Sequence, residues 1–271
     1  MAVPDPPSAI KRLGQNFLID PNIVRKIVVL AELGPDDSVL EIGPGRGILT
    51  EALCRHAGHV TAIEIDPRLH AYLTEQAPFP NLTLLLADAM TYPLTNLHPG
   101  TIVVANLPYY LSTPLLFKLL AHRTLIPRLV LMLQNEVADR LVAKPASSDY
   151  GTLSVMAQYA ADITKAFKVS APCFRPRPDV GSAVVLLKTK QERTLTEEEE
   201  LKFGAVVRAA FRHRRKTLIN SLRDEGYPHT TVSDALLALN LPLTIRAEVL
   251  SIVQFIALTQ ALPSNPVTSH H

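Results

Sequence analysis

The quartet Asn106-Leu107-Pro108-Tyr109 carries the residues of this chain best suited to chemistry, and it directly follows the apolar run 102–105. Such a run indicates a buried strand, and open α/β sheets bind ligands at the carboxyl ends of their strands. An exocyclic amine of a nucleobase is a poor nucleophile, because its lone pair is delocalised into the ring. The Asn106 side chain and the Leu107 carbonyl can hold its two hydrogens, while Pro108 offers no competing donor and Tyr109 can stack on the base. The quartet therefore predicts a site that methylates such an amine.

A glycine-rich segment, Gly43-Pro-Gly-Arg-Gly47, directly follows the first predicted strand and is called the glycine loop below. Glycine lets the backbone turn sharply and lets a ligand approach without a Cβ in its way. The spacing is G-x-G-x-G, which differs from the G-x-G-x-x-G of dinucleotide sites. The loop therefore predicts a ligand site that does not hold a pyrophosphate.

Acidic residues stand at the ends of the predicted strands. Glu64 is placed to bind ribose hydroxyls, and Asp88 can accept a hydrogen bond from an adenine amine. Asp66 competes with Glu64, but Pro67 after it favours a turn or helix cap for Asp66. Glu41 lies beside a buried strand, where a carboxylate is costly unless it is hydrogen-bonded, so we expect it to bind loop amides or the cofactor. Together these acids suit S-adenosylmethionine better than NAD.

The order of elements predicts an α/β fold with a mostly parallel, doubly wound sheet of seven strands. Helical stretches separate the first five predicted strands, as in parallel sheets. The last two have no full helix between them and are expected to form a hairpin-like pair at the end of the sheet. Asp20-Pro21 predicts a helix start, and Gly34-Pro35 its stop. The seven predicted strands are 39–42, 60–65, 82–87, 102–105, 129–133, 167–171 and 183–188.

The composition of the chain changes near residue 190. Thr196 and Glu199 have the spacing of a capping box, and only helical periodicity follows. We therefore expect a cofactor-binding domain over residues 1–190, a small all-α domain over 191–262 and a disordered tail over 263–271.

A basic stretch in the C-terminal domain predicts contact with phosphates. Arg208, Arg212, Arg215 and Lys216 fall within one sector of about 100° if residues 207–222 form one helix, with apolar residues on the opposite flank. A cluster of cations beside an adenine-methylating site favours nucleic-acid binding. Arg214 projects toward the apolar side, so we expect it to pair with an acid or to bend out to solvent.

Length and composition narrow the class of protein. The chain has 271 residues, of which 47% are hydrophobic and 19% charged, and its net charge of +2 does not by itself indicate nucleic-acid binding. Cys54 and Cys173 have no motif spacing and are expected as reduced thiols, which fits the cytoplasm. We expect no signal peptide, no membrane-spanning segment and no metal site, since His270 and His271 are too few to form one.

In this order the glycine loop, Glu64, Asp88 and the quartet resemble the Rossmann-like class I methyltransferases that act on adenine N6. Other motifs narrow the resemblance to the bacterial small-subunit (16S) ribosomal RNA adenine N6,N6-dimethyltransferase family, over about residues 11–262. These motifs are Lys11-Arg-Leu-Gly-Gln-Asn-Phe-Leu18, Gln134-Asn-Glu-Val137, Tyr150-Gly-Thr-Leu-Ser154, Phe174-Arg-Pro-Arg-Pro178 with Val180 and Ser182, Phe211 with Arg214-Arg-Lys-Thr-Leu218, and Arg246-Ala-Glu248.

The resemblance implies a function and a set of residue roles. The chain would be a monomer that uses S-adenosyl-L-methionine to dimethylate two adjacent adenosines near the 3′ end of 16S rRNA in the small ribosomal subunit. Asn106, Leu107, Pro108, Tyr109 and Phe174 would form the catalytic site, with Tyr109 and Phe174 on either side of the flipped adenine. The cofactor would be bound by Gln15, Asn16, Leu18, Glu41, Gly43, Gly45, Glu64, Asp88, Ala89 and Asn106. The RNA would be bound by Arg208, Arg212, Arg214, Arg215 and Lys216.

Phe174 also has an independent interpretation, since an aromatic residue in a Pro-rich loop is poorly placed for core packing. Three other functions remain open at this point. A 23S rRNA adenine dimethyltransferase shares the core motifs, and a DNA adenine methyltransferase would normally have Pro at position 107. A non-catalytic assembly or transcription factor is the third, although the intact Gly43, Glu64 and Asn106 favour an enzyme.

Overall fold

The computed structural model describes residues 5–10, 13–76, 79–213 and 215–263. Within them the strands are β1 (Phe17–Leu18), β2 (Ser38–Ile42), β3 (His59–Glu64), β4 (Leu82–Leu86), β5 (Ile102–Asn106), β6 (Arg128–Gln134), β7 (Ala161–Val169), β8 (Phe174–Arg175) and β9 (Ser182–Thr189). The helices are α1 (Pro21–Ala31), α2 (Ile48–Cys54), α3 (Pro67–Gln76), α4 (Ser112–Ala121), α5 (Asn135–Val142), α6 (Thr152–Ala160), α7 (Glu197–Phe211), α8 (Leu218–Asp224), α9 (His229–Ala238) and α10 (Ile252–Ala261).

Seven of the strands form one mostly parallel sheet in the order β4-β3-β2-β5-β6-β9-β7. The first five are parallel, and β9 pairs antiparallel with both β6 and β7. The predicted α/β fold with a seven-stranded, doubly wound sheet is confirmed. The last predicted pair is antiparallel, as expected, but its first strand runs over Ala161–Val169, so the bounds 167–171 were wrong. Because β2 to β6 are parallel, their carboxyl ends share one edge of the sheet.

Burial follows from each strand's place in the sheet. The central strand β5 is buried from Ile102 to Ala105, as expected for a parallel strand that is covered on both faces. The edge strand β7 is buried at its two end residues, and exposed and partly buried residues alternate between them. The apolar run before the quartet therefore places Asn106 at the carboxyl edge, as predicted.

Local sequence sets the ends of α1. The Asp20 side chain accepts a hydrogen bond from Asn22 N, and Pro21 is the first helical residue, as predicted. The helix ends at Ala31, before the predicted stop at Gly34-Pro35, because Glu32 takes a left-handed conformation with φ of 47°. Among the described residues, no helix is long and apolar enough to cross a membrane.

A two-stranded antiparallel sheet of β1 and β8 was not predicted. Phe17 pairs with Arg175, and Leu18 pairs with Phe174. Phe174 is only 1% exposed and belongs to the hydrophobic core cluster that also contains Leu18 and Val104. The expectation that Phe174 lies outside the core was wrong, because pairing with β1 makes its segment part of the packed interior rather than a free loop.

The chain forms two compact units, residues 1–139 with 160–191 and residues 140–159 with 192–271. In the second unit, Thr196 and Glu199 form the predicted capping box at the start of α7. The Tyr150 ring lies 6.0 Å from that of Phe211, and its hydroxyl donates to Leu250 O at 2.9 Å. These contacts group residues 140–159 with the C-terminal helices. The division at residue 190 into a cofactor-binding and an RNA-binding domain stays a prediction.

Candidate functional site

A cavity opens at the carboxyl edge of the sheet, with an empty volume of about 770 Å³ that includes the part open to solvent. Its wall combines the segment before β1, the glycine loop, the ends of β3 and β5, and the residues after β4. Ten of the residues proposed from the sequence line it: Gln15, Asn16, Gly43, Gly45, Glu64, Asp88, Ala89, Asn106, Pro108 and Tyr109. Folding therefore brings together residues up to 94 positions apart in the chain (109 − 15 = 94).

Four proposed residues lie elsewhere. Leu18 and Glu41 line a smaller neighbouring cavity of about 330 Å³, which Gly43, Gly45 and Asn106 also border. Leu107 is 1% exposed as a whole residue, belongs to the core and does not line the main cavity. Phe174 is buried as described above and does not line the main cavity.

The glycine loop is held by Glu64. Gly43 and Gly45 have φ of 70° and 60°, values at which residues with a Cβ are strained. Gly45 N donates to Glu64 Oε2 at 3.2 Å. A Cβ on Gly45 would also lie 3.0 Å from a ring carbon of Phe17. Its left-handed conformation and this tight contact therefore both favour glycine at position 45.

Glu64 is the buried acid at the end of β3 and is 3% exposed. Its Oε1 accepts a hydrogen bond from Asp66 N at 2.8 Å. Burial raises the pKa of Glu64, and the amides of Asp66 and Gly45 oppose that rise. The carboxyl group is thus fixed by two main-chain amides at a wall of the cavity.

Asp66 is a structural acid, as its neighbour Pro67 predicted. It accepts hydrogen bonds from Arg68 N at 3.0 Å, from Arg68 Nη2 at 2.7 Å and from Gln15 Nε2 at 3.0 Å. The Arg68 side chain lowers the pKa of Asp66 to about 2, against the effect of burial. Asp66 therefore stays ionised and ties Gln15, in the segment before β1, to the start of α3.

Glu41 departs from expectation. It is 1% exposed, and its Oε2 has no hydrogen-bond partner among the described residues. Burial raises the pKa of Glu41 to about 8, and the nearby Thr50 side chain opposes this rise. The Thr50 hydroxyl makes no hydrogen bond of normal geometry among the described residues. The expectation was that Glu41 binds loop amides or the cofactor. It was wrong for the loop amides, because the Gly45 amide donates to Glu64 instead, and the cofactor alternative stays a prediction.

The quartet is fixed at the end of β5. Asn106 Nδ2 donates to Asn16 O at 3.1 Å, which directs the other side-chain atom, Oδ1, away from that contact. Leu107 N donates to Met132 O at 3.2 Å, and Pro108 O accepts from Leu111 N at 3.0 Å. A nitrogen held at this edge would face an oriented amide and a main chain with little freedom.

Lys118 is a residue that the sequence analysis missed. Its ammonium donates to Ala89 O and Met90 O at 2.8 Å and to Tyr92 O at 2.5 Å. In the same segment, Asp88 Oδ1 accepts from Met90 N at 2.8 Å. Lys118 therefore fixes the cavity wall that carries Asp88 and Ala89. A lysine among the leucines of an apolar helix was the available signal.

The proposed RNA-binding residues do not lie on one helix, so that part of the prediction was wrong. Helix α7 ends at Phe211, and α8 begins at Leu218. The break arises because Thr217 caps α8, with its side chain accepting from Asn220 N. Arg208 lies on α7, whereas Arg212, Arg215 and Lys216 lie in the connection; Arg214 lies outside the described residues.

Acidic residues partly neutralise this connection. Arg212 Nε and Nη1 each lie 3.0 Å from a carboxylate oxygen of Glu225. Lys216 Nζ lies 2.6 Å from Asp224 Oδ2. Arg208, Arg212, Arg215 and Lys216 are nevertheless all exposed. Their role in RNA binding stays a prediction.

A model of the family described as "Ribosomal RNA adenine dimethylase" matches residues 8–257. The chain belongs to this family. Among curated relatives, the "Ribosomal RNA small subunit methyltransferase A" of Moorella thermoacetica is 43% identical over 264 residues, covering 93% of this chain and 92% of that protein. The protein of that name from Chlamydia felis is 43% identical over 265 residues, covering 94% and 90%.

Solved structures agree with this membership. A dimethyladenosine transferase from Plasmodium falciparum has a TM-score of 0.78 and 29% identity, covering 89% of this chain and 95% of that chain. The 23S rRNA methyltransferase ErmE has a TM-score of 0.70 and 28% identity, covering 91% and 99%. The methyltransferase predicted from the sequence motifs is thus confirmed as a ribosomal RNA adenine dimethylase. Its Rossmann-like fold is confirmed with it.

Proposed function

We propose that the protein uses S-adenosyl-L-methionine to dimethylate N6 of two adjacent adenosines near the 3′ end of 16S rRNA, within the small ribosomal subunit. It would act as a monomer in the cytoplasm. The observation that carries the proposal is that Asn106, at the tip of β5, lines the same cavity as Glu64 and Asp88. The methyl acceptor and the methyl donor can therefore meet at one place. The names of the curated relatives favour the small subunit over the 23S alternative.

The residues of the cavity fit this cofactor. Glu64 would hold the ribose, Asp88 and Ala89 the adenine, and the glycine loop the methionine end, where Gly43 and Gly45 line the cavity without a Cβ. The unpartnered Glu41 Oε2 in the adjoining cavity offers an acceptor to a donor group such as an ammonium. When bound, the cofactor supplies a methyl group that its sulfonium has already activated.

The protein contributes mainly positioning. Asn106 Oδ1 and the Leu107 carbonyl would accept the two hydrogens of the adenine amine and turn its lone pair toward the donor methyl group. As the nitrogen–carbon bond forms and the carbon–sulfur bond breaks, the nitrogen becomes positive and releases a proton to solvent. No general base is therefore required before the attack. The base must leave its stack to reach the cavity, as in other base-modifying enzymes.

The test is transfer of a labelled methyl group from S-adenosyl-L-methionine to three acceptors: small subunits lacking the modification, large subunits and DNA. We expect label only in the small subunits, with two methyl groups on each of two adjacent adenosines. Asn106→Ala should abolish transfer and keep the fold, whereas Asn96→Ala, at an exposed position outside the cavity, should not change it. Label in large subunits or DNA, or near-normal turnover by Asn106→Ala, would refute the proposal.

A further inference from the structure

The ring of Tyr109 is anchored by a serine to which no role has been given so far. Tyr109 Oη lies 2.8 Å from Ser182 Oγ, within hydrogen-bond distance. Ser182 is 1% exposed, whereas Tyr109 is only partly buried and lines the cavity. Tyr109 thus lines the cavity, while its hydroxyl is hydrogen-bonded to Ser182.

Strand order explains why a residue so distant in sequence meets Tyr109. Strand β9 is antiparallel to β6, and Ser182 pairs with Gln134. The first residue of β9 therefore lies at the edge of the sheet where the parallel strands end. Asn135 N donates to Gly181 O at 2.9 Å and fixes the entry to β9. Ser182 is thus a rigid point beside the quartet.

The main chain of Tyr109 has a second anchor. Ser112 Oγ, at the start of α4, donates to Tyr109 O at 2.9 Å, and Ser112 is 1% exposed. One serine holds the backbone and the other holds the far end of the ring. A ring fixed at both ends has lost much of its rotational freedom before any ligand arrives, which lowers the entropy cost of stacking.

We propose that Ser182 is a positioning residue that holds the Tyr109 ring in the orientation in which it stacks on the target adenine. This inference rests on the proposed function, since it takes Tyr109 as the stacking residue. Ser182 itself touches neither substrate nor cofactor; it acts through the phenol hydroxyl. The hydroxyl of Tyr109 is therefore needed for its bond to Ser182 rather than for chemistry on the base.

A double-mutant cycle tests the inference, using Ser182→Ala, Tyr109→Phe and the variant with both changes. Each single change removes the same hydrogen bond, so each should lower kcat/KM for the RNA by about tenfold. The double variant should lose no more than either single variant, because the two sites are coupled. Losses that multiply, or a Ser182→Ala enzyme with unchanged kcat/KM, would overturn the inference.

A second measurement separates orientation from stability. An RNA with 2-aminopurine at the target position should be quenched when the base stacks on Tyr109 in the wild-type protein. Ser182→Ala should reduce that quenching at saturating protein. Thr101→Val is the matched control, since it removes another buried hydroxyl, which donates to His98 O at 2.7 Å. Thr101 directly precedes β5 and so lies at the opposite edge of the sheet. It should leave the quenching unchanged, and equal quenching in Ser182→Ala and wild type would contradict the inference.

The same experiments distinguish failure of the inference from failure of the proposed function. If the wild-type protein transfers no methyl group to small-subunit RNA, the proposed function fails. If the wild-type protein is active and quenches 2-aminopurine, but the Ser182 variants behave like the Thr101 control, the inference alone fails.

Discussion

The side-chain amide of Asn106 donates its hydrogen bond to the main-chain oxygen of Asn16, which lies 90 residues earlier in the chain. The bond joins the segment before β1 to the tip of β5, and both residues line the cavity. Because Nδ2 is engaged there, Oδ1 is the atom left to accept from an adenine amine. The orientation of the proposed catalytic amide thus depends on residues at the start of the protein.

Deleting residues 1–16 should therefore impair methyl transfer without unfolding the protein. Phe17 and Leu18 would be kept, so β1 can still pair with β8. We expect a loss of about 100-fold in kcat, the size of effect that misplacement of a reacting group produces. Labelled-methyl transfer measures the loss, with circular dichroism as the control for folding. A deletion variant with full activity would show that the bond to Asn16 does not orient Asn106.

Phe174 should behave as a core residue. It is 1% exposed, so Phe174→Ala should lower the free energy of unfolding by about 3–5 kcal/mol. Phe174→Leu keeps most of the volume and should retain both stability and turnover. Chemical denaturation and methyl-transfer assays measure the two properties. A Leu variant that is stable but inactive would instead support the stacking role that the family resemblance implies.

Glu41 should make stability depend on pH. Its pKa is raised from 4.5 in the reference state to about 8 in the folded protein. Between these values the folded state holds a proton that the unfolded state has lost, so the free energy of unfolding falls as pH rises. Below 4.5 both states are protonated, and above about 8 both are ionised and the loss is complete.

Glu41→Gln should flatten this dependence, because an amide does not titrate. The measurement is the denaturation midpoint of wild type and variant at several values from about pH 5 to about pH 9. Glu51→Gln is the matched control, since Glu51 lies on the exposed side of α2 and pairs with Arg55. The same slope in Glu41→Gln and wild type would show that Glu41 is ionised in the folded protein.

The pair of Arg212 and Glu225 predicts an unusual gain in affinity. Glu225 Oε1 lies 3.0 Å from Arg212 Nε, so the guanidinium is already paired with an acid. If Arg212 binds a phosphate, Glu225→Gln should strengthen RNA binding and steepen the dependence of log K on log[salt] by about 0.7–0.9. Asp36→Asn removes one exposed negative charge elsewhere and controls for the change in net charge. Equal salt slopes in the three proteins would show that the pair serves folding alone.

The sequence predicted the main sheet because long apolar runs leave a strong signal. The strand before Asn106 and the acids Glu64 and Asp88 were placed correctly for that reason. Strands β1 and β8 have two residues each, which is too short to show any periodicity. The burial of Phe174 depends on their pairing and therefore could not be foreseen.

One other error has a local cause, and two depend on contacts between distant segments. Residues 207–222 have a helical pattern of apolar residues throughout. The Thr217 hydroxyl nevertheless caps a new helix, α8, so the pattern is divided between two helices. Glu41 Oε2 has no hydrogen-bond partner among the described residues, and the Gly45 amide donates to Glu64 instead. The sequence alone does not show which of the two acids lies within reach of that amide. Lys118 stands out in the sequence as a lysine among leucines, but its partners are main-chain oxygens of another segment, and the sequence does not identify them.

The pairing of β1 with β8 also bears on synthesis at the ribosome. Phe17 and Leu18 are translated well before their partners Arg175 and Phe174, which are more than 150 residues away in sequence (174 − 18 = 156). Contacts so distant in sequence form late, since the intervening chain must first be made and ordered. A nascent chain that stops before residue 174 has no partner strand for β1. The sheet of β1 and β8, whose Phe17 lines the main cavity, can therefore form only after the strands β2 to β7 have been translated.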